Sequence, residues 1–369
     1  MTQILRTFHP VGQGAFYTET HRDCYTQNQI NIVYDCGTKT KEINIENVIH
    51  KAFFQNTVID ILFISHFDED HISGIYELKN RCTIKKVVIP LIPQEDRLLF
   101  IITNEISSPY KEIITNPESY FGENTQITYV ISTDQEAQEN NIRDYNRNII
   151  KSGDHIDITG HSKTWCYIPF NFKYTKRLDE LKKVLKEKKL EIDKLTNIEY
   201  IKSKEKIIRE AYRKITSSIN RNSLIVYSGP KNISLKTKNI SSSILVHKGH
   251  KTKLHDCKSC LYLGDSRIQD SKKKKDRTFP LLLELEKRLK TEYYNTIRMI
   301  QIPHHGSEKD FDKVILDNPP KYLSIISCGT NNTYKHPSPS VVKEITLSNS
   351  MLCIVTEIPN SKCTIISCY

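Results

Sequence analysis

The sequence predicts an α/β protein, and three observations support this. Short apolar runs alternate with helical candidates, the pattern of a sheet covered by helices. Several runs, such as Ile59 to Ile64, are apolar nearly throughout, which suits strands that are buried on both faces. The chain has 369 residues and is therefore long enough to bury a large core.

The predicted elements fall into two strand-rich halves. In the first half the strand-like runs are QILRTFHPV, INIVYDCG, VIDILFIS, KKVVIPLI and ITYVIST, with helical candidates at 45–54 and 96–106. Residues 172–216 are dense in Lys and Glu, lack Gly and Pro, and predict one or two long exposed helices. The later runs are SLIVYSG, SSSILVHK, CLYLGDS, TIRMIQIPHHGS, YLSIISCG, MLCIVTEI and CTIISC. We therefore expect one domain over 1–369, compatible with a two-layered sandwich, with a charged helical insertion.

The composition indicates which binding partners and which cellular compartment to expect. Lys and Arg exceed Asp and Glu by 54 to 43, a net charge of +11 that favours polyanionic partners such as nucleic acid. No apolar run approaches the ~20 residues of a membrane span, and the N-terminus does not resemble a signal peptide. With ten scattered cysteines, we expect reduced thiols in a cytoplasmic protein with no membrane association. The segment HKGHKTKLHDCKSC puts His247, His250 and His255 beside Cys257 and Cys260, which have zinc-ligand spacing. Because a second such cysteine pair is missing, ordinary packing is favoured over structural zinc.

One stretch, ISHFDEDHISG, concentrates metal-binding side chains. His66, Asp68, Asp70 and His71 follow the apolar run VIDILFIS, at the end of a strand where α/β proteins place their sites. If the chain stays extended, residues 66, 68 and 70 project to one side and His71 returns at the start of a helix. Imidazoles with carboxylates suit divalent zinc, manganese or iron. Four ligands within six residues can hardly all reach one ion, so two ions are favoured.

The stretch resembles the His-x-His-x-Asp-His motif of the metallo-β-lactamase superfamily, with Asp68 in place of the second histidine. That replacement is typical of the ComEC/Rec2-type (DNA-uptake) branch. Further motifs similar to those of this branch follow in register: HPVGQGAF, NRNSLIVY, LYLGDS, IPHHGS and GTNNTYKHPSPSVV. The resemblance implies a four-layered αββα sandwich and a metal-dependent hydrolase.

The resemblance also implies roles for individual residues. His66 and Asp68 would hold one ion, Asp70 and His71 the other, and Asp265 would bridge them. His305 would complete the second site, with His304 left open as the alternative. Two ions, Zn²⁺ or Mn²⁺, would activate a water for phosphodiester hydrolysis. The implied catalytic residues are Asp70 and His336, the latter contacting a phosphate oxygen or protonating the leaving group.

Substrate contacts are expected from two sources. The motifs contribute Asn222, Ser223 and Asn332. The basic run that follows Asp265 contributes Arg267, Lys272 and Lys273, which would attract a phosphate backbone regardless of sequence.

The leading expectation is a nuclease or phosphodiesterase that acts on nucleic acid, DNA before RNA, in DNA processing or phage defence. Within enzymes, the alternative is a hydrolase of a small cyclic nucleotide or another phosphodiester. The alternative of another class is a non-catalytic nucleic-acid-binding or scaffolding subunit with a weakened metal site. It is favoured by the absence of the histidine common in the fourth motif and by the helical insertion, which offers a surface for a protein partner.

Overall fold

The structure is a computed structural model. It describes residues 2–26, 28–92, 97, 108–134, 136, 148–158, 164–172, 182–192, 194, 197–214, 223–231, 242–255, 259–268 and 280–368. Among these residues, no helix combines the length and the apolar character needed to cross a membrane.

Two large sheets form the centre of the described part of the chain. The first has ten strands in the spatial order β13 (His250–His255), β12 (Ser242–His247), β18 (Cys363–Cys368), β1 (Thr2–Phe8), β2 (Phe16–Asp23), β3 (Gln29–Cys36), β5 (Ile61–Phe63), β7 (Lys86–Pro90), β8 (Gln126–Val130) and β9 (Asn148–Ile150). The second has six, in the order β10 (Trp165–Phe170), β11 (Ile225–Pro230), β14 (Ser259–Tyr262), β15 (Ile297–Gln301), β16 (Leu323–Ser327) and β17 (Met351–Val355). The run from β3 to β9 in the first sheet and the run from β14 to β17 in the second are parallel.

Helices cover the outer face of each sheet. On the first sheet lie α1 (Ile45–Ala52), α2 (Glu69–Ile72), α3 (Ile75–Arg81), α4 (Ser108–Thr115), α5 (Pro117–Phe121), α6 (Ile198–Ser203) and α7 (Glu205–Lys214). On the second lie α8 (Pro280–Tyr294), α9 (Val314–Asp317) and α10 (Pro339–Leu347). One apolar core fills the space between the sheets, and one lies under each helical layer. The α/β prediction is confirmed, in the layer order helix, sheet, sheet, helix.

The apolar run before the histidine cluster is two strands rather than the predicted single strand. β4 (Thr57–Ile59) pairs with β6 (Cys82–Ile84) in a small separate sheet, whereas β5 joins the large sheet. Asp60 lies at the break, where its carboxylate accepts hydrogen bonds from the Asn31 amide at 2.9 Å and from Lys85 Nζ at 2.9 Å. Asp60 interrupts the strand, because a continuous apolar strand would bury its carboxylate without these hydrogen bonds.

The described part of the charged segment is helical, but the prediction that its helices are exposed is wrong for one face. Leu185, Ile201, Ile208 and Ala211 are fully buried and belong to the core under the first helical layer. Burial of an apolar stripe, rather than helix propensity alone, holds such short helices in place. The charged face remains at the surface.

Candidate metal centre

The histidine–aspartate stretch turns from an extended segment into a short helix within three residues. Asp68 is extended (φ −74°, ψ 148°) and precedes α2, so Asp70 lies in the helix and not, as predicted, on an extended strand. The Ala15 amide donates to Asp70 O at 3.0 Å. A Cβ on Gly37 would lie 2.7 Å from Asp70 O, so only glycine permits this close approach. Asp70 and His71 therefore leave from one buried helical turn.

Asp265 lies between three histidines. Its Oδ1 is 3.2 Å from His71 Nε2, and its Oδ2 is 3.7 Å from both His66 Nε2 and His304 Nε2. Asp68 Oδ2 is 3.9 Å from His66 Nε2, with 19% of its side chain exposed. A carboxylate that uses both oxygens in this way can serve two ions, which is the position that the resemblance implies for Asp265.

Asp70 forms the other side of the cluster. Its Oδ2 lies 3.2 Å from His305 Nε2, and its Oδ1 accepts a hydrogen bond from Lys39 Nζ at 2.7 Å. Lys39 follows β3 and is 38% exposed, so it connects the buried cluster to the surface. Lys39 is not among the residues predicted from the sequence, because the pairing of β3 with β5 brings it to the site.

A buried carboxylate sets the tautomers of two histidines. Asp35 accepts from the Ser65 amide and hydroxyl at 2.6 Å each and from His71 Nδ1 at 2.7 Å. Because the Ser65 hydroxyl donates its hydrogen bond to Asp35, Ser65 Oγ accepts a hydrogen bond from His66 Nδ1 at 2.9 Å. When the two imidazoles are neutral, both Nε2 atoms carry the lone pair that an ion needs, and among the described residues neither buried atom has a hydrogen-bond partner. An imidazole oriented in this way through its second nitrogen is typical of a metal ligand.

His304 and His305, from the opposite sheet, are also oriented by hydrogen bonds from Nδ1. His305 Nδ1 donates to Ser327 O at 2.8 Å, and His304 Nδ1 donates to Asp310 Oδ2 at 2.7 Å. Both histidines have left-handed backbone angles (φ 47° and 55°), followed by Gly306 at φ 81°. Non-glycine residues in this region cost free energy and are concentrated at functional sites. The turn directs both Nε2 atoms toward the cluster.

Two polar side chains fix the loop that carries Asp265. Gln301 Oε1 accepts from the amides of Leu263 and Gly264 at 2.8 Å each. Ser223 Oγ accepts from the Asp265 amide at 2.8 Å and contacts His66 Nδ1 at 3.1 Å. Ser223, predicted to bind substrate, is buried behind the ligands, where it orients His66 and Asp265.

Crowding of charge shifts several pKa values. Burial and the neighbouring Asp70 raise the pKa of Asp68 to about 7. Although burial opposes it, the hydrogen bond from His305 and the charge of His71 hold the pKa of Asp70 far below its usual range. Against the effect of burial, Asp265 and Asp35 raise the pKa of His71, and Asp265 and Asp310 raise that of His304 to about 9. In the absence of an ion, protons therefore compensate part of the negative charge.

The loop before α10 places His336 beside this cluster. The ring centroids of His304 and His336 are 5.9 Å apart, and the buried His336 Nδ1 has no hydrogen-bond partner in the ranges that the structure describes. Asn332 uses both amide hydrogens within the loop, on Gly329 O and His336 O at 2.6 Å each, and accepts from the His336 amide at 2.8 Å. Asn332 thus positions His336, whereas the prediction had it contact substrate.

Other predicted substrate contacts lie at the margin of the structure. Arg267 is partly buried, two residues after Asp265. Asn222, Lys272 and Lys273 lie outside the described residues. A groove of about 500 Å³ borders Lys39 and is lined in addition by Lys41, Tyr334, Glu42 and Glu357.

The residues present fit one or two divalent ions. Two sets have ligand atoms within 4.8 Å of one another: His66, His71 and Asp265 form one set, and Asp70, His71 and His305 the other. Imidazole nitrogens and carboxylate oxygens are ligands for zinc and for manganese. Asp35 and Ser65, which orient two of these imidazoles, were not predicted from the sequence. A signal was present, because Asp35 ends the strand-like run INIVYD, a position typical of site residues.

One protein-family model matches part of the chain. The family model of the metallo-β-lactamase superfamily matches residues 25–106 and suggests a metal-dependent hydrolase. No curated protein sequence matches the chain. Among solved structures, unliganded yeast PDE1 is 11% identical over 99% of each chain, with a TM-score of 0.39. The metallo-β-lactamase MIM-1 from Novosphingobium pentaromativorans is 10% identical over 93% of this chain and 89% of its own, with a TM-score of 0.31. The ComEC-type branch stays a prediction. The helix–sheet–sheet–helix layers and the match over residues 25–106 are consistent with the metallo-β-lactamase fold.

Proposed function

We propose that this protein is a metal-dependent phosphodiesterase that hydrolyses nucleic acid, with DNA as the favoured substrate. The observation that carries the proposal is the pair of buried, unpartnered Nε2 atoms on His66 and His71, both directed at Asp265. An unpaired buried nitrogen costs free energy unless something binds it, and a divalent ion is the partner that this donor set selects.

Following the resemblance, we assign the ligands to two groups that share Asp265, and His71 lies within reach of both groups. His66, Asp68 and Asp265 would hold one ion, and Asp70, His71, His305 and Asp265 the other. When bound, such ions lower the pKa of a coordinated water and stabilise negative charge on phosphoryl oxygens. His305 is the better candidate of the pair because it is 4% exposed and contacts Asp70, whereas 37% of the His304 side chain is exposed. His304 is then free to contact the substrate.

Lys39 supplies the positive charge nearest to the reacting centre. Its ammonium group bonds to Asp70 and also borders the groove, so it can bind a non-bridging phosphate oxygen. Tyr334 lies in the same groove, 67% exposed, and its ring stacks on His336 at 5.9 Å and 12°. An exposed aromatic ring next to a cation suits a nucleotide, whose base can stack while its phosphate is held.

His336 is better suited to hydrogen bonding than to donating a proton. Burial and the nearby His304 lower its pKa to about 4. A neutral imidazole can still donate one hydrogen bond to a phosphate oxygen. We therefore favour the first of its two predicted roles, contact with phosphate, over protonation of the leaving group.

A second candidate function, hydrolysis of a small cyclic nucleotide or dinucleotide, is favoured by the groove. Its volume of about 500 Å³ is typical of a small-molecule site, and two glutamates line it beside two lysines. A continuous basic surface would favour a polymer. The basic run at 272–275 that could provide it lies outside the described residues.

The test uses the full chain purified without chelator. Wild type and Asp70→Ala are incubated with labelled single- and double-stranded DNA, RNA and cyclic dinucleotides, with zinc, manganese or magnesium. Asp60→Asn is the matched control, since it changes another hydrogen-bonded aspartate outside the cluster. We expect metal-dependent cleavage by wild type and the control, and a loss of at least ~100-fold in Asp70→Ala.

The outcomes separate the candidates. Cleavage of polymers alone supports the nuclease, and cleavage of the small substrates alone supports the second candidate. If no phosphodiester is cut with any metal while nucleic acid binds equally well to wild type and Asp70→Ala, the protein is the non-catalytic binding subunit. In that case we also expect well under one ion per chain.

A further inference from the structure

We propose a second metal site, formed by His247, Cys353 and Cys363, that binds zinc and joins the two sheets. It shares no residue with the histidine–aspartate cluster and does not depend on the proposed function. One ligand atom from each of the three residues lies within 4.8 Å of the other two. None of the three residues takes part in the proposed hydrolysis.

The three residues come from different strands and from both sheets. His247 on β12 and Cys363 on β18 are direct cross-strand partners in the ten-stranded sheet. Cys353 lies on β17, the edge strand of the six-stranded sheet. Cys353 and Cys363 are 1% and 0% exposed in the core between the sheets. An ion here would therefore cross-link strands that belong to different sheets.

The donor atoms select a soft cation. Two thiolates and one imidazole suit zinc and would make the centre electrically neutral, which limits the cost of burying it. His247 Nδ1 is buried and has no hydrogen-bond partner within the described part of the chain. The backbone at Ser361 and Lys362 bonds to the same imidazole. A ring with one nitrogen held by the backbone and the other unpartnered has the orientation that metal-binding histidines adopt.

The two sulfurs are already close in the absence of an ion. A hydrogen bond with Cys353, together with burial, raises the pKa of the Cys363 thiol. Zinc would displace the protons of the two thiols. Because His247 is only half-buried, the ion can enter from its side, and a water can serve as the fourth ligand. The sequence pattern concealed this site, because Cys353 and Cys363 lie far from His247 along the chain.

Cobalt substitution distinguishes this site from the first one. Co²⁺ bound to thiolate gives a charge-transfer absorption in the near ultraviolet that histidine and carboxylate ligands do not give. We load full-length protein with Co²⁺ and record spectra of wild type, Cys353→Ser, His247→Ala and Asp70→Ala. Cys82→Ser, which changes a buried cysteine in another core, is the matched control.

We expect the thiolate band in wild type, Asp70→Ala and Cys82→Ser, and its loss in Cys353→Ser. His247→Ala changes a half-buried side chain that is less critical for folding, and we expect at least a tenfold weaker zinc affinity with unchanged circular dichroism. No thiolate band in folded wild type, or an undiminished band in Cys353→Ser, would overturn the proposal. So would a Cys353–Cys363 disulfide in protein purified under air, detected as two missing free thiols that reappear on reduction. Failure of the cleavage assay leaves these readouts unaffected.

Discussion

Replacing Asp35 by asparagine tests whether the buried carboxylate controls the metal-binding tautomer of His71. Asp35 is completely buried and receives three donors: the Ser65 amide on Oδ1, and the Ser65 hydroxyl and His71 Nδ1 on Oδ2. The new asparagine side chain would have to keep its oxygen toward the Ser65 amide, because two facing donors repel. Its NH₂ group would then face His71 Nδ1, which must become the acceptor. The proton moves to His71 Nε2 and removes the lone pair that an ion needs.

The expected magnitude follows from this exchange. Changing a group that orients a metal-binding histidine costs about 10- to 100-fold in metal affinity, or roughly 1.4–2.8 kcal/mol. One weakened buried hydrogen bond lowers the free energy of unfolding by about 1–3 kcal/mol. The assay is competition for Zn²⁺ against a coloured chelator, with urea unfolding of the same metal-free samples.

The control is Asp60→Asn, which also loses a carboxylate that accepts a backbone amide but lies outside the cluster. We expect the control to lose stability and retain zinc affinity. If Asp35→Asn lowers the free energy of unfolding yet binds zinc within about twofold of wild type, the tautomer argument is refuted, and Asp35 serves only packing.

Three further predictions concern groups with defined surroundings. His305→Ala should remove about one ion per chain, as measured by elemental analysis, whereas His304→Ala should keep its metal and lose turnover; equal metal loss in both would contradict the assignment. Because burial raises the pKa of Asp68 from 3.8 to about 7, the folded metal-free protein binds this proton more tightly, and its free energy of unfolding should fall as pH rises between those values. Asp68→Asn should reduce that slope in urea titrations, and an unchanged slope would show that another group titrates. Lys321 donates to Pro319 O, and burial lowers its pKa from 10.5 to about 7. Between these values only the unfolded chain takes up the proton, so the free energy of unfolding should fall as pH falls from 10.5 to about 7, and Lys321→Met should raise the melting temperature most at pH 7 and below.

Several of the predicted ligands lie close together in the structure, and most of the predicted ligands come from two short motifs. His66 to His71 follow one strand directly, so their proximity needs no knowledge of the fold. Asp35 and Lys39 reach the site only because β3 pairs with β5, and strand pairing cannot be read from a local pattern. The same limit hid the combination of His247 with Cys353. The break between β4 and β5 at Asp60 was not predicted. One aspartate hardly changes the apolar pattern, and the pattern does not show that its carboxylate bonds to the backbone.

The charge of the histidine–aspartate cluster links its structure to its proposed chemistry. Asp35, Asp68, Asp70 and Asp265 crowd together, and Lys39 is the nearby cation bonded directly to one of them. Without ions this excess of negative charge retains protons, which is seen in the raised pKa values of Asp68, His71 and His304. Divalent ions would satisfy the same charge and displace those protons, so metal binding must release protons at neutral pH. The cluster is thus built at an energetic cost that ion binding offsets, whereas a purely structural cluster would have gained stability from apolar side chains in the same positions.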